Sequence, residues 1–141
     1  MLVAERYLLD TSAVLTLTDQ EDGFEEVEAL LDRAAGGAAE VEVSAISLME
    51  LYYITLQEQG EDQASHLVSL VKAWPVHWVY PDERILLFAG RLKAFNRLSF
   101  ADAVIAGSAR LREAVLVHKD PEFETLAGEV VLLGLPYKRA Q

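Results

Sequence analysis

Short apolar runs alternate with longer segments of helical period along the chain. The runs at Arg6–Leu9, Val41–Ser44, Val76–Val79, Ala114–His118 and Val130–Leu133 have strand length and are bounded by polar or small residues. Between them, apolar positions recur at three- and four-residue intervals. They are Val27, Leu30 and Leu31 in Phe24–Ala34; Leu48, Leu51, Tyr52 and Leu56 in Ser47–Gln59; and Ile85, Leu86, Phe88, Ala89, Leu92 and Phe95 in Asp82–Asn96. This spacing predicts three amphipathic helices. Ser99–Arg112 is richer in small residues, with Ala101, Ala103, Ala106, Gly107 and Ala109, and predicts a helix able to lie close against a sheet or another helix. The small-residue break from Ala34 to Ala39 marks a helix ending before a strand. Alternating strands and helices predict an α/β fold with a parallel sheet covered on both faces. No repeat or long linker divides the chain, so one domain is expected over residues 1–141.

Composition narrows the function classes. With 141 residues and 52% apolar content, the chain can bury roughly two-thirds of its unfolded surface. It has no cysteine, which excludes disulfides and thiolate metal sites and leaves oxygen and histidine as ligands. No apolar run approaches the roughly 20 residues needed to cross a bilayer, and the opening MLVAERYLLD interrupts any signal-like apolar stretch with charge. A cytoplasmic protein with no membrane partner is expected. The formal net charge of −11 argues against a broad electrostatic grip on nucleic acid, but the charge is lopsided. Residues 1–70 carry two bases against fifteen acids, and residues 71–141 carry ten bases against eight acids. Within the second half, Arg91, Lys93, Arg97, Arg110, Arg112 and Lys119 form either a solvated surface or a contact with a phosphate backbone.

Four acids stand where strands end or helices begin: Asp10, Glu50, Asp102 and Asp120. Each alone has a local explanation. Asp10 can cap a helix beginning near Ala13, Ser47/Glu50 and Ser99/Asp102 have capping-box spacing, and Asp120 precedes Pro121 as an N-cap precedes a first-turn proline. Together they say more. Ligands of a parallel sheet bind beyond the carboxyl ends of its strands, and four carboxylates gathered at that edge would repel one another unless a cation lay among them. Oxygen-only ligands suit Mg2+ or Mn2+, which would support hydrolysis of a phosphodiester by water. Competing chemistry is sparse. The Gly-x-Ser-x-Gly elbow, the phosphate-cradling glycine loop and the dinucleotide-binding turn are all absent, and Thr11-Ser12 lacks the second aspartate of a dehalogenase-like phosphatase. His118 points to the same side of an extended strand as Asp120 and reads as a buried or hydrogen-bonded histidine in preference to a ligand. Trp74, Trp78, Tyr52 and Tyr53 could stack on bases, although their apolar neighbours favour packing.

The segments YLLDTSAVL, SAISLMELYY, LSFADAVIAGSARL and LVHKDPEFETL resemble, in order, the signature segments of PIN domains, and most of all those of VapC toxins from toxin–antitoxin pairs. The resemblance implies a three-layer α/β/α sandwich with a mostly parallel central sheet. It further implies a Mg2+- or Mn2+-dependent endoribonuclease acting on structured RNA such as tRNA or rRNA, a homodimer, and inhibition by a cognate antitoxin whose tail crosses the active-site groove. On this basis Asp10, Glu50, Asp102 and Asp120 are the expected catalytic and metal-binding acids. Ser12 matches a small polar residue that supports the first aspartate, with Thr11 beside it. Glu122 stands where relatives often carry a further aspartate, and His118 where they often carry threonine or serine. A catalytically silent PIN-like binding module and a PIN nuclease of RNA processing without an antitoxin are the alternatives.

Overall fold

The computed structural model describes residues 5–138. Five strands form one sheet: β1 (Glu5–Leu9), β2 (Ala39–Ser44), β3 (His77–Val79), β4 (Val115–His118) and β5 (Leu132–Gly134). Their order is β3-β2-β1-β4-β5, and every neighbouring pair is parallel. Leu8 and Leu9 point to opposite faces of β1, as successive strand residues must, and each joins a different apolar cluster. One face carries α5 (Glu83–Phe95), α6 (Phe100–Leu111) and a 3-10 helix (Pro121–Leu126). The other carries α1 (Thr11–Thr18), α2 (Phe24–Ala35), α3 (Ile46–Gln59) and α4 (Glu61–Lys72). This is the expected α/β/α sandwich with a parallel sheet.

Most predicted elements match within a residue or two, and the differences have local causes. The last strand begins at Leu132 because the Val130 amide still donates to Leu126 O at 2.9 Å, closing the preceding turn. Helix α4 is missing from the pattern reading, although Glu61 and Asp62 at its start and Lys72 at its end suit the helix dipole. Gly60, at φ +92°, separates α3 from α4 in a conformation that favours glycine. In α3 the buried line is Ser47, Leu51 and Thr55, while Leu56 of the expected apolar face is exposed. Ser47 faces inward onto Thr11 at the start of α1.

Two packing features hold the layers in place. The small residues of α6 permit the close approach expected of them, since a Cβ added to Gly107 would lie 3.2 Å from the backbone N of Ala89 in α5. Gly107→Val should therefore cost about 1–3 kcal/mol by chemical denaturation. Within β2, Glu42 is 1% exposed and receives Arg112 Nη2 at 2.5 Å, with Arg6 Nε at 3.9 Å. Arg112 is thus held internally, Lys93 donates to Leu98 O and Lys119 to Asp22 O, so half of the basic group singled out in the sequence serves the fold. Trp74 and Trp78 also pack against the helical core, whereas Tyr53 is exposed.

Candidate active site

The order β3-β2-β1-β4-β5 makes the connections diverge between β1 and β4, and a crevice opens beyond the carboxyl ends of strands at such a point. Asp10 follows β1 directly and Asp120 lies two residues beyond β4. The Asp10 amide donates to Val117 O at 3.0 Å, extending the β1–β4 ladder to the site. Its side chain caps α1, with Oδ1 accepting from Ala13 N at 2.8 Å and from Ser12 Oγ at 2.6 Å. The Lys119 amide donates in turn to Ser12 Oγ at 3.1 Å, so Ser12 links the ends of both central strands.

Asp102 enters from the first turn of α6. Ser99 caps that helix by accepting from Asp102 N at 3.1 Å, as its spacing predicts. Asp120 caps the 3-10 helix through Glu122 N at 2.9 Å, and Phe123, 1% exposed, anchors that turn in the core. Asp102, Asp120 and Glu122 converge, each with a carboxylate oxygen within 4.8 Å of the others. Glu122 is therefore part of the tight cluster. Asp10 and Glu50 flank it without belonging to that closest set, yet their electrostatic influence reaches it.

Glu50 corrects a local expectation. Ser47 and Glu50 do not form a capping box: the N-cap of α3 is Ala45, and Ser47 is buried inside the first turn. Glu50 Oε1 instead accepts from Thr11 Oγ1 at 2.6 Å, and Ser47 Oγ lies 2.9 Å from the same Thr11 oxygen. His118 is 1% exposed, and its Nδ1 accepts from Asp120 N at 3.2 Å. Burial holds its imidazole below the ordinary range, which favours the neutral ring. It supports the Asp120 turn through that bond and an edge contact with Phe123.

Burial raises the Asp10 carboxyl to about 7 despite the bonds from Ser12 and Ala13, and the charges of Asp102 and Asp120 add to the rise. Burial also raises Asp102 to about 6, with Glu50, Asp120 and Glu122 contributing. Among the described residues, no lysine or arginine forms a salt bridge with any of these five acids. Crowded oxygen donors without a basic counter-ion suit a hard divalent cation. The raised values also predict a pH dependence. In metal-free protein the folded state holds protons that the unfolded chain releases near pH 4. The contribution to stability is therefore fully present below about pH 4 and is lost as pH rises through about 6 for Asp102 and about 7 for Asp10. Urea midpoints measured in EDTA from pH 5 to 8 should fall more steeply for the native chain than for Asp10→Asn.

Residues 7–129 match the PIN domain family model. The chain is a PIN domain. No curated protein sequence matches it. Several solved structures share its fold. VapBC2 from Rickettsia felis, bound to a promoter DNA fragment, aligns with a TM-score of 0.75 and 17% identity over 93% of this chain and 99% of that one. DNA-bound VapBC from Salmonella typhimurium gives 0.74 and 20% over 94% and 98%. VapC20 from Mycobacterium tuberculosis, described as a sarcin–ricin loop cleaving toxin, gives 0.65 and 18% over 88% and 96%. At these identities the likeness establishes the PIN fold, and structural neighbours of this PIN domain include chains of VapBC toxin–antitoxin pairs.

Proposed function

We propose that this PIN domain is a Mg2+- or Mn2+-dependent endoribonuclease of the VapC toxin type, hydrolysing phosphodiester bonds in structured RNA. The observation that carries this reading is the convergence of Asp102, Asp120 and Glu122 beside buried Asp10 at the β1–β4 crevice, with no basic side chain among the described residues neutralising them. In this reading Asp102, Asp120 and Glu122 hold the cation together with Asp10, and Glu50 closes the flank. A divalent ion so held supplies positive charge to the phosphate and an activated water. The chain's own residues supply the rest. Ser12 and the Ala13 amide fix the Asp10 carboxylate, Thr11 fixes that of Glu50, and the Asp120 turn is fixed by His118 and the core-buried Phe123. The presence of all the acids favours an enzyme over a silent binding module.

Total RNA incubated with the purified chain should be cut at discrete sites with Mg2+ or Mn2+ and left intact in EDTA. Intact RNA under every metal condition, from a folded and partner-free sample, would favour the binding module. A groove of about 670 Å³ runs from Ser12 and Asp120 past Asp19, Glu21 and Glu58. Lys119 and Lys138 line the same groove and pair with Glu21, so the support for an antitoxin partner whose arginine competes with the cation comes from the carboxylate cluster at Asp120, which forms no salt bridge among the described residues. Alanine at that arginine should relieve inhibition of cleavage, and undiminished inhibition would count against this mode.

A further inference from the structure

We propose that Ser47 is a positioning residue for Glu50, acting through Thr11 to hold one carboxylate oxygen of Glu50 in place and thereby strengthening the grip of the site on a divalent cation. The inference rests on the metal-dependent reading above. Its geometry is a chain of hydroxyls joining α1 to α3. Thr11 Oγ1 donates to Glu50 Oε1 at 2.6 Å, and Ser47 Oγ stands 2.9 Å from Thr11 Oγ1. A hydroxyl has one proton and an ionised carboxylate only accepts. The Thr11 proton is committed to Glu50, so the bond between the two hydroxyls must run from Ser47 to Thr11. Ser47 is 0% exposed and Thr11 7%, so water offers little substitute for either partner.

Thr16 and Ser108 donate to the carbonyls of Ser12 and Val104, four residues back in their own helices. Ser47, in the first turn of α3, turns outward to Thr11. Ser47 and Glu50 lie one helical turn apart on α3, so the bonds leave that helix, pass through Thr11 and return to it. The carboxylates of Asp10 and Glu50 are thus held by adjacent hydroxyls at the start of α1, those of Ser12 and Thr11. A serine that only joined α1 to α3 would stabilise the fold regardless of what occupied position 50; one that positions Glu50 would matter to the cation only while that carboxylate is present.

Calorimetric titration of Mn2+ into the metal-free full chain distinguishes these roles. Ser47→Ala is expected to weaken Mn2+ binding about 10-fold, the scale of losing a residue that orients a metal ligand. In a Glu50→Gln background the same change should alter affinity by less than about twofold. Thr11→Val, which removes the middle hydroxyl at nearly constant volume, should weaken binding at least as much as Ser47→Ala and keeps the test available if that variant does not fold. Native affinity in either hydroxyl variant, or equal weakening with and without the Glu50 carboxylate, would overturn the proposal. Failure of the underlying reading is separately visible: a native chain that takes up no Mn2+, or takes it up undiminished after Asp102→Asn, overturns both.

Discussion

Asparagine in place of Asp10 is expected to reduce RNA cleavage by roughly 10³-fold while making the metal-free protein more stable at pH 8. The two effects have one origin. Asp10 is only 3% exposed, and its charged form is opposed by burial and by the neighbouring carboxylates. Asparagine keeps an oxygen that can accept from Ser12 Oγ and Ala13 N, so the cap of α1 survives. It removes the charge that a cation requires and with it the repulsion that burial amplifies. A stability gain of roughly 2 kcal/mol at pH 8 is consistent with a carboxyl displaced this far from its ordinary value. The gain should vanish near pH 4, where the native aspartate is protonated, and Mn2+ should stabilise the native chain at pH 8 far more than the variant. Cleavage assays and urea unfolding on the same samples test both halves. A variant that is inactive but less stable at pH 8 would show that Asp10 is needed by the fold in a way that its charge does not explain.

The largest purely structural effect is expected at the opposite end of the sheet. Arg112→Met should destabilise the protein by about 3 kcal/mol, because it leaves Glu42, 1% exposed, with Arg6 at 3.9 Å as its remaining cationic neighbour. Replacing both members, with Glu42→Met and Arg112→Met together, should recover most of that loss, since a buried ion pair repays its desolvation only marginally. RNA cleavage per folded molecule should stay close to native in the single variant, because Arg112 lies at the C-terminal end of α6, whereas Asp102 lies in its first turn. Denaturation midpoints of the two single variants and the double variant close the thermodynamic cycle. A double variant as unstable as Arg112→Met would indicate that the cavity and its packing, rather than the stranded charge, carry the cost.

Several features of the protein were legible in its sequence because their signals are local. A strand or helix declares itself by the period of its apolar residues, and a cap by a side chain reaching an amide two or three positions away. Hence the five strand runs, the capping roles of Asp10, Ser99 and Asp120, and the close-packing small residues of α6 follow from short stretches of chain. The signature segments similarly point to the PIN family without coordinates. Local signals also misled: Ser47 and Glu50 have capping-box spacing, but burial against Thr11 gives Ser47 a different partner. Helix α4 was hidden because its fully buried positions are few, Ala64 and Val71.

What only the tertiary structure decided is which distant groups meet. The strand order sets Asp10 beside the end of β4, and the path of α6 then brings Asp102 to Asp120 and Glu122. The pairing of Glu42 with Arg112 spans 70 residues, and that of Thr11 with Glu50 spans 39. Hydrophobic period records which face of each element is buried, but carries no record of its neighbour across the sheet. Carboxylate crowding, and the raised pKa values it helps to produce, arise when burial and strand order act together to bring those separate segments to one edge.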